Sequence, residues 1–279
     1  MQEAANYRAG QVLGKLISFL RKCIIRIVSV GPIPNHIAVI MDGNRRFAKK
    51  WNLVGGDGHR FGLLALMSML KYCCEFGVEY VTIYAFSIDN FKRKPEEIQY
   101  LMDLFQEQIE WFLKEESIVD RYGLRVYFLG DLKLLPETVR LAMKRAMEAT
   151  ANNSNVVLSI CFAYSSTNEI AHAVGESIQE RQRETNHQSQ VNYEDENEVF
   201  VTVADIEKHM YLVVAPDPDI IIRSSGENRL SNFLLWQSAY SYLYSPSALW
   251  PEIGFRHLLW AILNFQRTKS YLDKREKHI

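Results

Sequence analysis

With 279 residues the chain can bury one large core, and its 32 Lys and Arg against 33 Asp and Glu leave a net charge of −1. That balance excludes the broadly basic surface of a nucleic-acid binder, so the basic residues must act locally. Four cysteines, Cys23, Cys73, Cys74 and Cys161, lack metal-ligand spacing, and with no secretory leader pattern they predict reduced thiols and a cytosol-facing protein.

The first predicted element is an amphipathic helix over 12–30. Leu13, Leu16, Ile17, Leu20, Ile24, Ile27 and Val28 form one face and Lys15, Ser18, Lys22, Arg26 and Ser29 the other, with Gly31-Pro32 as the stop. Its charges, Arg21 included, argue against a membrane-spanning helix. Two readings stand: a basic helix lying on a membrane surface, or a helix packed on its own domain or on a partner.

The next segment, HIAVIMDGNRRFAKK at 36–50, runs a continuously apolar strand (37–41) into Asp42, Gly43, Asn44, Arg45 and Arg46. Ligands of open α/β sheets bind at the carboxyl ends of strands. A glycine permits close backbone approach, an amide supports a tight turn, and guanidinium groups neutralise anions. One carboxylate beside arginines suits Mg²⁺ shared with phosphate oxygens. The residues alone also allow a strand followed by a solvated charged turn.

Further strands are predicted at 80–86, 124–129, 156–162 and 220–223, separated by helical patterns, which implies a mostly parallel sheet in one α/β domain. The stretch 61–76 is apolar nearly all round and predicts a buried helix. Ile98, Leu101, Met102, Phe105, Ile109 and Phe112 predict an amphipathic one. Between Glu176 and Glu198 the composition turns polar, predicting a solvated insertion or mobile loop. The strand at 220–223 then ends on Arg223. A Ser224-Ser225-Gly226 turn with the look of an anion-binding nest leads on to Arg229 and Ser231.

Several separate blocks, MDGNRRFAKK, GHRFG, TIYAFSIDNFKR, and IIIRSSGENRLSNFLLWQ followed by LWPE, resemble the cis-prenyltransferases, the family of undecaprenyl and dehydrodolichyl diphosphate synthases, over roughly 36–267. Arg45 and FSIDNFKR resemble the eukaryotic branch, and SYLYSPSALWPEIGFRHLLWA its plant members. The resemblance implies a catalytic domain over 35–279 behind an N-terminal helical segment, 1–34. It implies extension of farnesyl diphosphate by cis addition of isopentenyl diphosphate, with Mg²⁺ as cofactor, to give a dolichol- or rubber-type precursor. The helices at 61–76 and 98–112 become walls of an apolar tunnel.

Matched residue by residue, Asp42 positions Mg²⁺, while Gly43, Asn44, Arg45, Arg46 and Phe47 cradle the allylic diphosphate. His59 faces the same phosphates, although a lone histidine read without the family is more often a structural one. Ser87, Asp89, Asn90, Phe91 and Arg93 lie between the two substrates. Asn90 there orients the isopentenyl group while a phosphate oxygen takes its proton; read alone, it is a cap. Arg223, Gly226, Arg229, Leu230 and Ser231 anchor isopentenyl diphosphate.

Two departures stand out: Tyr242 where many members carry a metal-site glutamate, and Gly55 where a basic residue is common. The sequence as read to Ile279 also lacks the Arg-any-Gly motif of homodimeric members. The resemblance therefore implies a non-catalytic partner subunit, related to the Nogo-B receptor, that donates the motif at the cytosolic face of the endoplasmic reticulum membrane. The rival reading is a non-catalytic scaffold or lipid-binding subunit. Scaffolds typically lose the carboxylate and paired arginines that Asp42, Arg46, Arg223 and Arg229 retain here. A nucleotide-binding enzyme is excluded by the absence of both GxGxxG and GxxxxGK[ST].

Overall fold

In the computed structural model, which describes residues 2–53, 56–112, 118–189 and 200–276, the strands predicted from apolar runs share one sheet. Along the chain come α1 (Gln2–Val28), β1 (His36–Ile40), α2 (Asn44–Lys50), α3 (Asp57–Phe76), β2 (Tyr80–Ser87), α4 (Pro95–Phe112), α5 (Ile118–Tyr122) and β3 (Leu124–Leu129). They are followed by α6 (Glu137–Ala149), β4 (Val156–Tyr164), α7 (Ser166–Ser189), α8 (Val203–Lys208), β5 (Ile220–Arg223), β6 (Tyr242–Tyr244) and α9 (Phe255–Glu276). The sheet order is β3-β4-β2-β1-β5-β6, and every pairing is parallel.

β1 shows why its sequence is apolar throughout. Ile37 and Val39 belong to a large core shared with α3, α4, α6 and α9, whereas Ala38 and Ile40 belong to a smaller core with Leu212, Phe233 and Leu234 on the other face. A strand covered on both sides cannot alternate apolar and polar residues. β1 lies centrally, paired to β2 on one side and β5 on the other, with Ile40 opposite Arg223. The connection leaving β1 runs to β2 on one side and that leaving β5 runs to β6 on the other, and this divergence opens a crevice beyond the strand ends.

Four expectations are corrected. α3 is not buried all round, for Phe61 (44% exposed) and Leu64 (61%) face outward while Leu66, Met69, Leu70 and Cys73 face the sheet. β6 was not foreseen, because three residues give too short a period to read. The polar stretch from Glu176 is helical as far as Ser189, since α7 docks α8 through charge rather than apolar area. Arg181 grips Asp205 at 2.7 and 2.9 Å, and Glu180 meets Lys208 and His209; residues 190–198 of that stretch lie outside the described ones. Finally, α1 begins ten residues earlier than its apolar periodicity indicated.

α1 is fastened at its C-terminal half. Arg21 pairs with Glu75 and lies over the Tyr72 ring, Ile25 and Val28 are buried, and the Gln266 amide donates to the Val28 carbonyl at 2.9 Å, satisfying a helix-end acceptor. Leu16, Ile17, Leu20, Ile24 and Ile27 remain exposed. Among the described residues no helix is long and apolar enough to cross a membrane.

Candidate active site

The crevice at the carboxyl ends of β1, β2 and β5 is built around the Asp42 backbone. Its carbonyl accepts from Ser224 Oγ (2.6 Å), Ser225 Oγ (2.8 Å) and the Trp250 N–H (2.9 Å), and its N–H donates to Ser224 Oγ. Gly43 follows at φ +112°, where a Cβ would stand 2.5 Å from Ser225 Oγ, so only glycine allows β1 to turn into α2 here. The Ser225 and Gly226 N–H groups are bound to the Ala248 and Pro246 carbonyls. The nest read from Ser-Ser-Gly is therefore a fastener: its donors are spent on joining the end of β5 to Asp42 and to the segment after β6, and Gly226 does not line the cavity below it.

The Asp42 carboxylate is held from two sides, by Arg46 Nη2 at 3.1 Å and Arg223 Nη2 at 2.8 Å. Desolvation raises its pKa, but these hydrogen bonds and the charges behind them prevail, so the carboxyl stays below its ordinary range and ionised. Arg223 is buried (6% exposed) and also donates Nη1 to the Arg229 carbonyl and to Ser231 Oγ, both at 2.6 Å. Its Nε is buried without a partner, as is Asn44 Oδ1. Buried polar atoms are rarely left unpaired, and both of these belong to residues that line the cavity below them. Gly58 and Gly62 explain how α3 reaches so close: a Cβ on either would stand within 2.4 Å of Asn44 oxygens.

Beyond these groups opens a cavity of about 620 Å³. Asp42, Asn44, His59, Ser87, Asp89, Asn90, Arg93, Arg223, Ser231 and Asn232 line its polar part, and Leu63, Leu66, Leu101, Leu104, Phe105, Ile109, Phe128, Ile160 and Phe162 its apolar part. The helices read from sequence as tunnel walls are thus α3 and α4, with the strands as floor. Burial, then the charges of Arg93 and Arg45, lower the His59 pKa against an opposing effect of Glu97, so the imidazole is neutral near pH 7.

Other candidates stand elsewhere. Phe47 packs between Trp51 and Phe61, Phe91 packs edge-on to Phe86, and Leu230 packs against the smaller core. Arg45, Arg46 and Arg229 sit at the rim, largely exposed. Tyr242 pairs in register with Ile220 and so lies at the amino end of the sheet, off the cavity; Gly55 lies outside the described residues. Sequence reading missed two glutamates: Glu97 pairs with Arg93 (2.9 Å) and Arg45 (3.6 Å), and Glu227 with Arg229 and Arg46. Only the four-residue step from Arg93 to Glu97 was visible locally. The rim is thus four guanidinium groups held in pairs by two carboxylates. Among the described residues no three metal-ligating side chains converge.

A cationic, hydrogen-bonding mouth above an apolar hollow accepts an amphiphile with an anionic head and a hydrocarbon tail. Comparison with known proteins points the same way. A family model for undecaprenyl diphosphate synthases matches residues 40–272. Dehydrodolichyl diphosphate synthase CPT3 of Solanum lycopersicum is 55% identical over 288 residues, spanning 99% of each chain. The dehydrodolichyl diphosphate synthase complex subunit DHDDS of Homo sapiens is 41% identical over 261 residues, spanning 94% of this chain and 75% of its own. Lavandulyl diphosphate synthase from Lavandula x intermedia, solved in complex with dimethylallyl diphosphate, superposes with a TM-score of 0.70 at 28% identity, over 84% of this chain and 95% of its own.

Proposed function

The chain belongs to the undecaprenyl diphosphate synthase family, as a plant-like cis-prenyltransferase that makes long-chain polyprenyl diphosphate, and from that premise we propose which substrates and residues do the work. It extends farnesyl diphosphate with isopentenyl diphosphate, one inorganic diphosphate leaving per cycle. The observation that carries this reading is the Asp42–Arg223 pair opening onto an apolar hollow.

Breaking the allylic carbon–oxygen bond loads negative charge on the leaving diphosphate, so donors fixed in advance around that group lower the barrier. Asn44, Arg45, Arg46 and Arg93 supply them at the α2 side, and His59, being neutral, adds a hydrogen bond without a charge. Arg223, Arg229 and Ser231 hold the diphosphate of the isopentenyl unit at the β5 side. Its double bond attacks the allylic carbon and a proton then leaves for a phosphate oxygen, with Asn90 orienting the group. The apolar wall of α3 and α4 receives the growing chain.

The donor set fits Mg²⁺. A single carboxylate at a strand end, with no all-protein cage among the described residues, is how this ion is held when substrate phosphates complete its shell. Asp42 would hold it, and the ion when bound supplies charge neutralisation to the diphosphate.

The human relative is named a complex subunit, which supports a heteromer here too; the partner in this proposal is a Nogo-B receptor-like subunit that carries an Arg-any-Gly tail. The exposed apolar face of α1, beside Lys15, Lys22 and Arg26, supports peripheral attachment to the cytosolic face of the endoplasmic reticulum. The test is to incubate the chain, with and without the partner, with farnesyl diphosphate, labelled isopentenyl diphosphate and Mg²⁺, and to size the products. Long-chain products with the partner carry the reading. Their absence in both cases would overturn it.

A further inference from the structure

The loop after β5 holds Ser231 at φ +51°, Asn232 at +61° and Leu234 at +46°, a run that non-glycine residues rarely adopt. Such backbone persists only where its surroundings impose it. Here the first turn of α7 does so. The Asn232 carbonyl accepts the Ser166 N–H at 2.8 Å, and Asn232 Oδ1 accepts both the Thr167 N–H and the Thr167 hydroxyl at 3.0 Å. Ser166 Oγ in turn accepts the Leu235 N–H at 2.8 Å. Asn232 thus caps a 24-residue helix from a distant loop, satisfying N–H groups that lack partners inside the helix.

The next residue back is Ser231, bonded to Arg223, which is bonded to Asp42. A continuous line therefore runs from the start of α7 to the catalytic carboxylate. We propose that Asn232 is a positioning residue, clamped by Thr167 of α7, that holds Ser231 and Arg223 at the spacing the second diphosphate requires. The inference rests on the reading that Arg223 and Ser231 bind isopentenyl diphosphate. Asn232 itself lines the cavity whereas Thr167 does not, so Thr167 reaches substrate only through Asn232. A raised KM in Asn232→Gly beside an unchanged one in Thr167→Val would overturn the clamp in favour of direct contact.

The test is steady-state kinetics of the full-length chain in active membranes, with farnesyl and isopentenyl diphosphates varied separately. Asn232→Gly keeps the left-handed backbone and its carbonyl bond but removes both Oδ1 bonds. The KM for isopentenyl diphosphate should rise about tenfold, as two modest hydrogen bonds warrant, while the allylic KM and kcat hold within about threefold. Thr167→Val should raise the same KM by about threefold and Thr167→Ser should match wild type. Asn232→Gly should add nothing to the KM of Ser231→Ala. If Ser231→Ala raises the isopentenyl KM and Asn232→Gly leaves it unchanged, or if both KM values rise together, the clamp is overturned. If Ser231→Ala itself leaves that KM unchanged, the underlying assignment of the second site falls instead.

Discussion

The same three strands, β1, β2 and β5, end in polar clusters of opposite kinds. At their amino ends every polar group named has a partner: His36, wholly buried, meets the Pro216 carbonyl at 2.6 Å and the Thr82 hydroxyl at 2.8 Å, and one Asp219 oxygen accepts the Asn35 and His36 N–H groups. At their carboxyl ends Arg223 Nε and Asn44 Oδ1 are left open, four rim arginines share two carboxylates, and Ser225, Ser231 and Asn232 adopt left-handed backbone. A satisfied network contributes stability. An unsatisfied one stores binding capacity at stability's expense. One end closes the sheet, and the other is kept for ligands.

That contrast predicts that mutations at the two ends separate activity from stability. The largest effect on activity belongs to Asp42→Ala, which should cut turnover by about a hundredfold or more, since it removes the charge on which both arginines converge; thermal unfolding should show a folded protein. Near-normal turnover at saturating Mg²⁺ would break the comparison at its strongest point.

The amino end should respond to pH instead. Burial lowers the His36 pKa from 6.5 to about 4, partly offset by its hydrogen bonds to the backbone at Pro216 and Asp217, the Pro216 carbonyl accepting from the ring. The unfolded chain therefore binds this proton more readily than the folded one. The stability that the neutral ring contributes is complete above about pH 6.5 and is lost as pH falls towards 4, roughly 3 kcal/mol in all. Urea titrations at pH 7 and pH 4.5 should show the loss in wild type and less of it in His36→Leu, whose stability at pH 7 should already be lower. An identical pH dependence in the two proteins would remove His36 as its cause.

Arg223→Ala sharpens the comparison, because that side chain serves both roles at one end. Losing its charged bonds, worth about 1.5 to 3 kcal/mol, should weaken isopentenyl diphosphate binding by about ten- to a hundredfold and leave the allylic site largely intact. A selective loss of farnesyl diphosphate binding would show the two sites to be reversed.

The smallest effect is expected furthest from the sheet. Neutralising Lys22 and Arg26 to Gln on the exposed side of α1 should reduce flotation with anionic vesicles by about fivefold per residue, in keeping with about 1 kcal/mol for each charge near such a surface. Arg21, paired with Glu75, is left in place. Unchanged flotation would assign the helix to protein packing alone.

The amino-acid sequence by itself determined five of the six strands, because burial on both faces forces unbroken apolar runs, and it determined where polar chemistry begins, because Asp42 and Arg223 end two such runs. It also marked α3 and α4 as helices that could wall a cavity. Only the tertiary structure decided which donors are free. The Ser-Ser-Gly turn reads as an anion nest until Ala248, Pro246 and Asp42 are seen to occupy its groups. Glu97, Glu227 and Asn232 read as ordinary loop or helix residues until the fold sets them against the rim arginines and against α7. Tyr242 reads as a metal-site substitution until the register of β6 carries it to the opposite end of the sheet. The physical reason is one of range. Periodicity and strand-end chemistry are set by neighbours in sequence, whereas hydrogen-bond satisfaction is settled by groups as far apart as Asp42 and Arg223, which meet only once the sheet has formed.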